Sequence, residues 1–308
     1  MPETTWTEVP LFIHGITPGE EPGSHDGDYK ALLGLVNGEL ASRGKPALPW
    51  AEAVRVEWGW ESGQSAENDR FLAQAEKAIG REAFAAQDAA WDFTLNPARA
   101  LHSQIRKSFL YGFSDLFYYV SQDGERAVRN HVFGQISQRL NALPAGQNLS
   151  LTLFTHSAGT VIAHDLLYHL FGSTAKAAAG VQGLQDLHGA LAALGAGRLR
   201  VRRLFTMGSP ITPLIFRADA LLLKAANGQK LDPADLGLAA DPALPGPRWV
   251  NFWDKDDVIS YPLAFNYLPS GGAPVVEDCY TDIGDFFPAV HGQYWTASPV
   301  AARMAEVW

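Results

Sequence analysis

Short runs of apolar and β-branched residues recur along the chain, separated by longer stretches with helical spacing. VPLFI (Val9–Ile13), AVRVEW (Ala53–Trp58), LSLTLFT (Leu149–Thr155), RVRRLFTMG (Arg200–Gly208) and RWVNFW (Arg248–Trp253) are the clearest, and VVEDCYTDI (Val275–Ile283) is a weaker sixth. Several are nearly continuous in apolar residues, as strands buried on both faces of a parallel sheet are. Strands alternating with helices imply βαβ units and one sheet covered on both sides. The pattern predicts an α/β chain with a mostly parallel sheet of about six strands and helices on both faces.

Two connections are too long for one helix. The first, at about 61–147, is a helical insertion that includes DRFLAQAEKAIGREAFAAQDAAW and GERAVRNHVFGQISQRLNAL. The second, at about 215–247, ends in the Pro/Gly-rich DPALPGP. Strand-like runs continue on both sides of each insertion, so a single domain over residues 1–308 is expected. SFLYGFSDLFYYV (Ser108–Val120) is the most aromatic stretch, and Phe109, Phe113, Leu116, Phe117 and Val120 recur in it at the spacing of a buried helix.

Composition narrows the classes. A chain of 308 residues that is 47% hydrophobic and 19% charged can bury a sizeable core. Its net charge of -9 argues against nucleic acid as main partner, because phosphate binding needs clustered Lys and Arg. Cys279 is the one cysteine, which excludes an intramolecular disulfide and fits a reducing compartment. MPETTWTEVP has neither the basic nor the apolar region of a signal peptide, and no apolar run reaches the ~18 residues of a membrane span. A soluble cytoplasmic protein without an integral membrane segment is the expectation, with oligomeric state left open.

The candidate chemistry starts at TLFTHSAGTVIAHDLL (Thr152–Leu167), which sets Ser157 between a strand and a helix. The serine could cap the helix, or be a nucleophile lifted above the carboxyl edge of the sheet on a tight turn. Capping explains the serine but neither the small neighbours Ala158 and Gly159 nor the strand that feeds it. On the nucleophile reading, the N–H of Ala158 faces the same space at the positive end of a helix.

A serine hydroxyl needs a base, and the base needs a carboxylate to orient it. RWVNFWDKDDVISYPL (Arg248–Leu263) ends a strand in Asp254, Asp256 and Asp257, although an acidic loop is also what a solvated surface looks like. FFPAVHGQYW (Phe286–Trp295) offers His291 after the last strand-like run, giving the order Ser157, Asp, His291. His156 should point away from the serine hydroxyl. His14 and Gly15 follow the first strand, where the turn would present the N–H of Ile16 as a second oxyanion donor. The other histidines read as packed or surface residues. With no HExxH or paired cysteines, no metal site is expected.

In order, FIHG, FTHSAG, FTMGSP, NFWDKDDVISYPL and AVHGQYW resemble the landmarks of the α/β-hydrolase superfamily. The resemblance is to lipase- and esterase-like members with an HG loop after an early strand. The family's acid commonly sits in a D-P-V-like context. Asp257, followed by Val258 and Ile259 and then Tyr261-Pro262-Leu263, fits that register best, with Asp256 second. Two departures stand out: Thr155 replaces the first glycine of G-x-S-x-G, and the chain begins almost at the HG strand, which implies a compact sheet without the family's first two strands.

The resemblance implies a serine hydrolase of small-molecule or lipid-like carboxylic esters, working without a cofactor. Ser157 would be nucleophile, His291 base and Asp257 its acid, with Ile16 and Ala158 as the oxyanion hole. An acyltransferase, phospholipase or thioesterase with the same triad, or a catalytically silent binding protein of that fold, are the alternatives. The resemblance also implies that the helical insertion lies over the sheet's carboxyl edge, where Tyr111, Tyr118 and Tyr119 would help line an acyl pocket.

Overall fold

The computed structural model describes residues 5–15, 24–58, 74, 122–144, 146–172, 193, 196–214, 227–269, 274–287 and 289–308. The chain starts with β1 (Trp6–Ile13), α1 (Asp26–Ser42), β2 (Val54–Val56), α2 (Gln122–Asn141), β3 (Asn148–His156) and α3 (Ala158–Phe171). It continues with β4 (Leu199–Met207), α4 (Ile211–Leu214), β5 (Trp249–Trp253), β6 (Val276–Tyr280), α5 (Ala289–Gln293) and α6 (Ser298–Glu306).

Two compact units divide the chain, one of Met1–Gly15, Gly23–Glu57 and Arg129–Trp308, the other of Ile16–Pro22 and Trp58–Val128. Of the second unit, the described residues are 58, 74 and 122–128, the last seven forming the first part of α2. Ile16, the aromatic stretch at Ser108–Val120 and most of the insertion expected at 61–147 lie outside the described residues.

All six apolar runs form strands of one sheet, in the order β2-β1-β3-β4-β5-β6 with every neighbouring pair parallel. The second run is the most curtailed. It forms a strand only at Val54–Val56, where Val54 and Val56 are buried and Arg55 is exposed, as suits an edge. Because β2 pairs only with Leu11–Ile13, no described strand flanks the Pro10 half of β1 on that side, where a residue without an N–H is tolerated.

The side chains of the sheet sort by parity onto two faces. On one face an aromatic ladder crosses four strands. Phe12 stacks on Phe154 at 4.9 Å, Phe154 on Phe205 at 5.4 Å, and Phe205 lies 6.3 Å from Phe252. Helices α1 and α6 close this face, through Tyr29, Leu32 and Leu33 on the first and Val300, Ala301 and Met304 on the second. The face also holds a buried guanidinium. Arg203 donates to the carbonyl oxygen of Val307 at the end of α6 (2.7 and 3.1 Å) and to that of Pro245 (2.8 Å). Burial and nearby Arg248 push its pKa down to about 10, so it stays charged at neutral pH and complements the helix C-terminus.

On the opposite face α3 packs by Ile162, Leu166 and Leu167. Here Trp249 meets Tyr267 edge-on at 4.9 Å and His164 at 6.2 Å. The sheet is thus a rigid platform whose carboxyl ends are fixed by packing on both sides.

Phe154 sits at the middle of the ladder, fully buried between two rings. Phe154→Ala is expected to lower unfolding free energy by about 3–5 kcal/mol, read from the midpoint of urea denaturation. A loss below about 1 kcal/mol would mean that the neighbouring rings collapse into the space.

Candidate active site

Strands β1 and β3 are neighbours, but the chain leaves them in opposite directions: β1 leads through α1 to β2, and β3 leads through α3 to β4. The connections therefore diverge at their carboxyl ends, which is where open parallel sheets bind ligands. His14 and Gly15 leave β1 at this point, and Ser157 leaves β3. Tyr29 stitches the β1 and β2 ends together: its hydroxyl accepts the N–H of His14 and donates to the Val56 carbonyl, each at 3.0 Å.

Ser157 has φ 52° and ψ −129°, and among the described residues no other non-glycine has positive φ. Such backbone costs about 1–3 kcal/mol and persists only where the surroundings enforce it. Its side chain makes no capping bond to α3, so capping does not explain the serine.

The strained peptide is braced from both sides. The Ser157 N–H donates to the Met207 carbonyl at 2.9 Å, while its own carbonyl accepts from the Thr160 N–H (3.0 Å) and hydroxyl (2.6 Å). A carbonyl only accepts, so the Thr160 proton is committed to it. Ser209 must then donate to Thr160 across 2.9 Å, while itself accepting the N–H of Ile211 at 3.3 Å. Gly15 passes directly over the serine: a Cβ there would lie 2.5 Å from the Ser157 Cβ and 3.0 Å from its Oγ. Only glycine fits.

At the β5 end, three carboxylates take three different tasks. Asp254 is fully buried and accepts the N–H groups of Asp256 and Ile283, both at 2.9 Å, so it organises the loop. Asp256 is half-buried and pairs with Lys255 at 2.6 Å. Asp257 is buried, and its Oδ2 lies 2.8 Å from Nδ1 of His291 on α5. Tyr294, one position along the chain from α5, donates to the same Oδ2 at 3.1 Å, and the N–H of Ile259 reaches Oδ1 at 3.3 Å.

Gly208, at φ 59°, lies beneath this pair. A Cβ on it would fall 3.0 Å from Nδ1 of His291 and 3.1 Å from Oδ2 of Asp257. The residue before it, Met207, is the one that holds the Ser157 N–H. The Asp257–His291 pair and the serine therefore converge on the end of β4.

Ser157 and His291 share no hydrogen bond among the described contacts. Unliganded sites often hold that contact long and tighten it on the substrate. Ala158 is the first residue of α3 and buried, so its N–H has no partner within the helix. Ile16, the other expected donor, lies outside the described residues.

Two further imidazoles are buried at these strand ends. His14 is buried and stacks on His25 at 3.7 Å, with its Nδ1 2.5 Å from the Gly15 carbonyl oxygen. His156 directs Nε2 at the main chain of His291, 2.6 Å from that carbonyl oxygen. The sequence signal for Tyr294 was its spacing three residues after His291, which sets both on one helical face. Nothing comparable marks His156.

Among the described residues, no three His, Cys, Asp or Glu side chains are grouped to hold a metal ion, and no helix is long and apolar enough to cross a membrane. No protein-family model and no curated protein matches this sequence.

Burial, reinforced by His25, lowers the pKa of His14 from 6.5 to about 3. Between those values the unfolded chain binds a proton that the folded chain refuses, so stability present above pH 6.5 is lost as pH falls toward about 3. His14→Asn keeps a side-chain donor for the Gly15 carbonyl and removes the titration. The variant is expected to lose less unfolding free energy than the parent between pH 7 and pH 4.5, measured by urea titration at each pH. Equal losses would assign the acid sensitivity to other groups.

Proposed function

We propose that this protein is an α/β-hydrolase-like serine hydrolase that cleaves carboxylic esters through an acyl-enzyme. One observation carries the reading most: Ser157 is held in a strained, non-capping turn between β3 and α3, at the switch point of a parallel sheet. Strain at Ser157, braced by the buried hydroxyls of Thr160 and Ser209, supports reading it as a positioned nucleophile.

The steps follow from the groups present. Ser157 Oγ attacks the ester carbonyl carbon as His291 Nε2 takes the hydroxyl proton, and the carbonyl electrons move onto oxygen. Asp257, 2.8 Å from Nδ1, fixes the tautomer that leaves Nε2 free to accept and stabilises the resulting imidazolium. The N–H of Ala158 receives the oxyanion, with the N–H of Ile16 as its proposed second donor. Collapse of the tetrahedral species breaks the ester C–O bond, and the imidazolium gives its proton to the departing alcohol. Water then attacks the acyl-serine, again with His291 as base, and collapse releases the acid and returns a proton to Ser157.

A fluorophosphonate probe tests the nucleophile. The parent protein is expected to be labelled at Ser157, and Ser157→Ala to fold normally while losing labelling and ester hydrolysis by orders of magnitude. Undiminished labelling of the alanine variant would move the nucleophile elsewhere.

The three carboxylates give an independent check on kcat and stability. Asp257→Asn is expected to lower kcat by orders of magnitude, since an amide in its place favours the wrong tautomer. Asp256→Asn should leave kcat within a few-fold. Asp254→Asn should act mainly on stability, because its two oxygens hold backbone N–H groups. A larger kcat loss from Asp256→Asn than from Asp257→Asn would overturn the assignment.

A further inference from the structure

The serine and the histidine that must meet share no hydrogen bond of their own, yet the residue before the serine grips the backbone of the histidine. We propose that His156 is a positioning residue, whose imidazole sets the placement of His291 relative to Ser157 by donating Nε2–H to the His291 carbonyl. The proposal rests on the hydrolase reading for its kinetic consequence but not for its geometry.

The direction of the bond is forced. A carbonyl oxygen has no proton to give, so Nε2 of His156 must carry one across the 2.6 Å contact. Burial, and then the neighbouring His291, lowers the pKa of His156 well below its ordinary value, so the ring is neutral and has a single N–H. That N–H is spent on His291, which leaves Nδ1 bare. Nδ1 faces the other side of the site, 3.3 Å from where a Cβ on Gly15 would be. The ring thus bridges the loop over the serine and the helix bearing the base.

The acceptor needs this partner. α5 has five residues, and a helix leaves its last four carbonyls without partners of its own. The His156 ring is also fixed by packing, 4.6 Å from His291, 5.6 Å from Trp295 and 6.0 Å from Tyr294. His291 is then held twice, at Nδ1 by Asp257 and at its main chain by His156. The first contact sets the tautomer and ring plane. The second sets how far the ring stands from Ser157, because His156 and Ser157 share a peptide bond.

Nitrogen-15 NMR of histidine-labelled protein reads the tautomer directly, with the His156 signals assigned by their absence in His156→Gln. The expected result is a neutral His156 protonated at Nε2 and bare at Nδ1 in the unliganded parent. Protonation at Nδ1 overturns the proposal, and this outcome is readable even if a variant fails to fold. The kinetic arm uses p-nitrophenyl butyrate. His156→Phe keeps an aromatic ring without the donor and is expected to lower kcat about ten- to a hundredfold at nearly constant KM. His156→Gln, which retains an N–H donor, should recover most of that loss.

The low-field proton between His291 and Asp257 should broaden in His156→Phe and remain in His156→Gln. Parental kcat and an unchanged low-field proton in His156→Phe would leave His156 a packing residue only. If the parent protein takes no fluorophosphonate label, the hydrolase reading fails while the tautomer result stands, so the two failures are told apart.

Discussion

The constraint on which the site depends is the backbone of Ser157. A serine at φ 52° gives up about 1–3 kcal/mol, and nothing in its own side chain compensates, since the hydroxyl does not cap the helix it precedes. The compensation comes from three directions: Met207 on β4 takes the N–H, Thr160 on α3 holds the carbonyl with two donors, and the chain at Gly15 passes too close for any side chain. Each partner belongs to a different element. The turn can exist only where β1, β3 and β4 lie side by side in register, as the parallel pairing of Ile13 with Thr155 and of His156 with Met207 places them.

That register is held by the least specific force in the molecule. The aromatic ladder from Phe12 to Phe252 and the helices over it fix the strands through buried area, without reference to chemistry. The polar groups then use the fixed frame. Ser209 and Thr160 are both fully buried, where a hydroxyl left without a partner would be destabilising by about 1–3 kcal/mol. Because their proton directions leave one consistent arrangement, the chain from Ile211 to Ser157 acts as a single brace rather than two separate bonds.

The strands were legible because a strand buried on both faces must be apolar nearly throughout, so its signal survives in a single sequence. Ala53–Trp58 was read longer than the three paired residues at Val54–Val56, because edge pairing depends on a neighbour that hydrophobicity does not encode. The placement of Ser157 between strand and helix was legible from the change of period. Which aspartate faces His291 was not readable from the residues themselves: Asp254, Asp256 and Asp257 are chemically alike, and only the loop shows that Asp254 is occupied by backbone N–H groups while Asp256 meets a lysine. The D-P-V-like register taken from the resemblance was what favoured Asp257. The contacts of Tyr294 and His156 exist only in the folded chain, one reaching Asp257 across 37 positions and the other His291 across 135.

The two buried imidazoles show why strand-end histidines need their environments before they are given roles. His14 and His156 are both driven neutral chiefly by burial, and each directs a ring nitrogen at a backbone carbonyl, Gly15 for one and His291 for the other. A ring committed in this way cannot readily take up a proton, because doing so would set a charge in a site with no room to solvate it. His291 differs in the one respect that matters for proton transfer: its Nδ1 meets the carboxylate of Asp257, so a proton arriving at Nε2 produces an ion pair instead of an isolated buried cation. On the proposed mechanism, the carboxylate at Nδ1 is what would suit His291, rather than His14 or His156, to carry the transient charge.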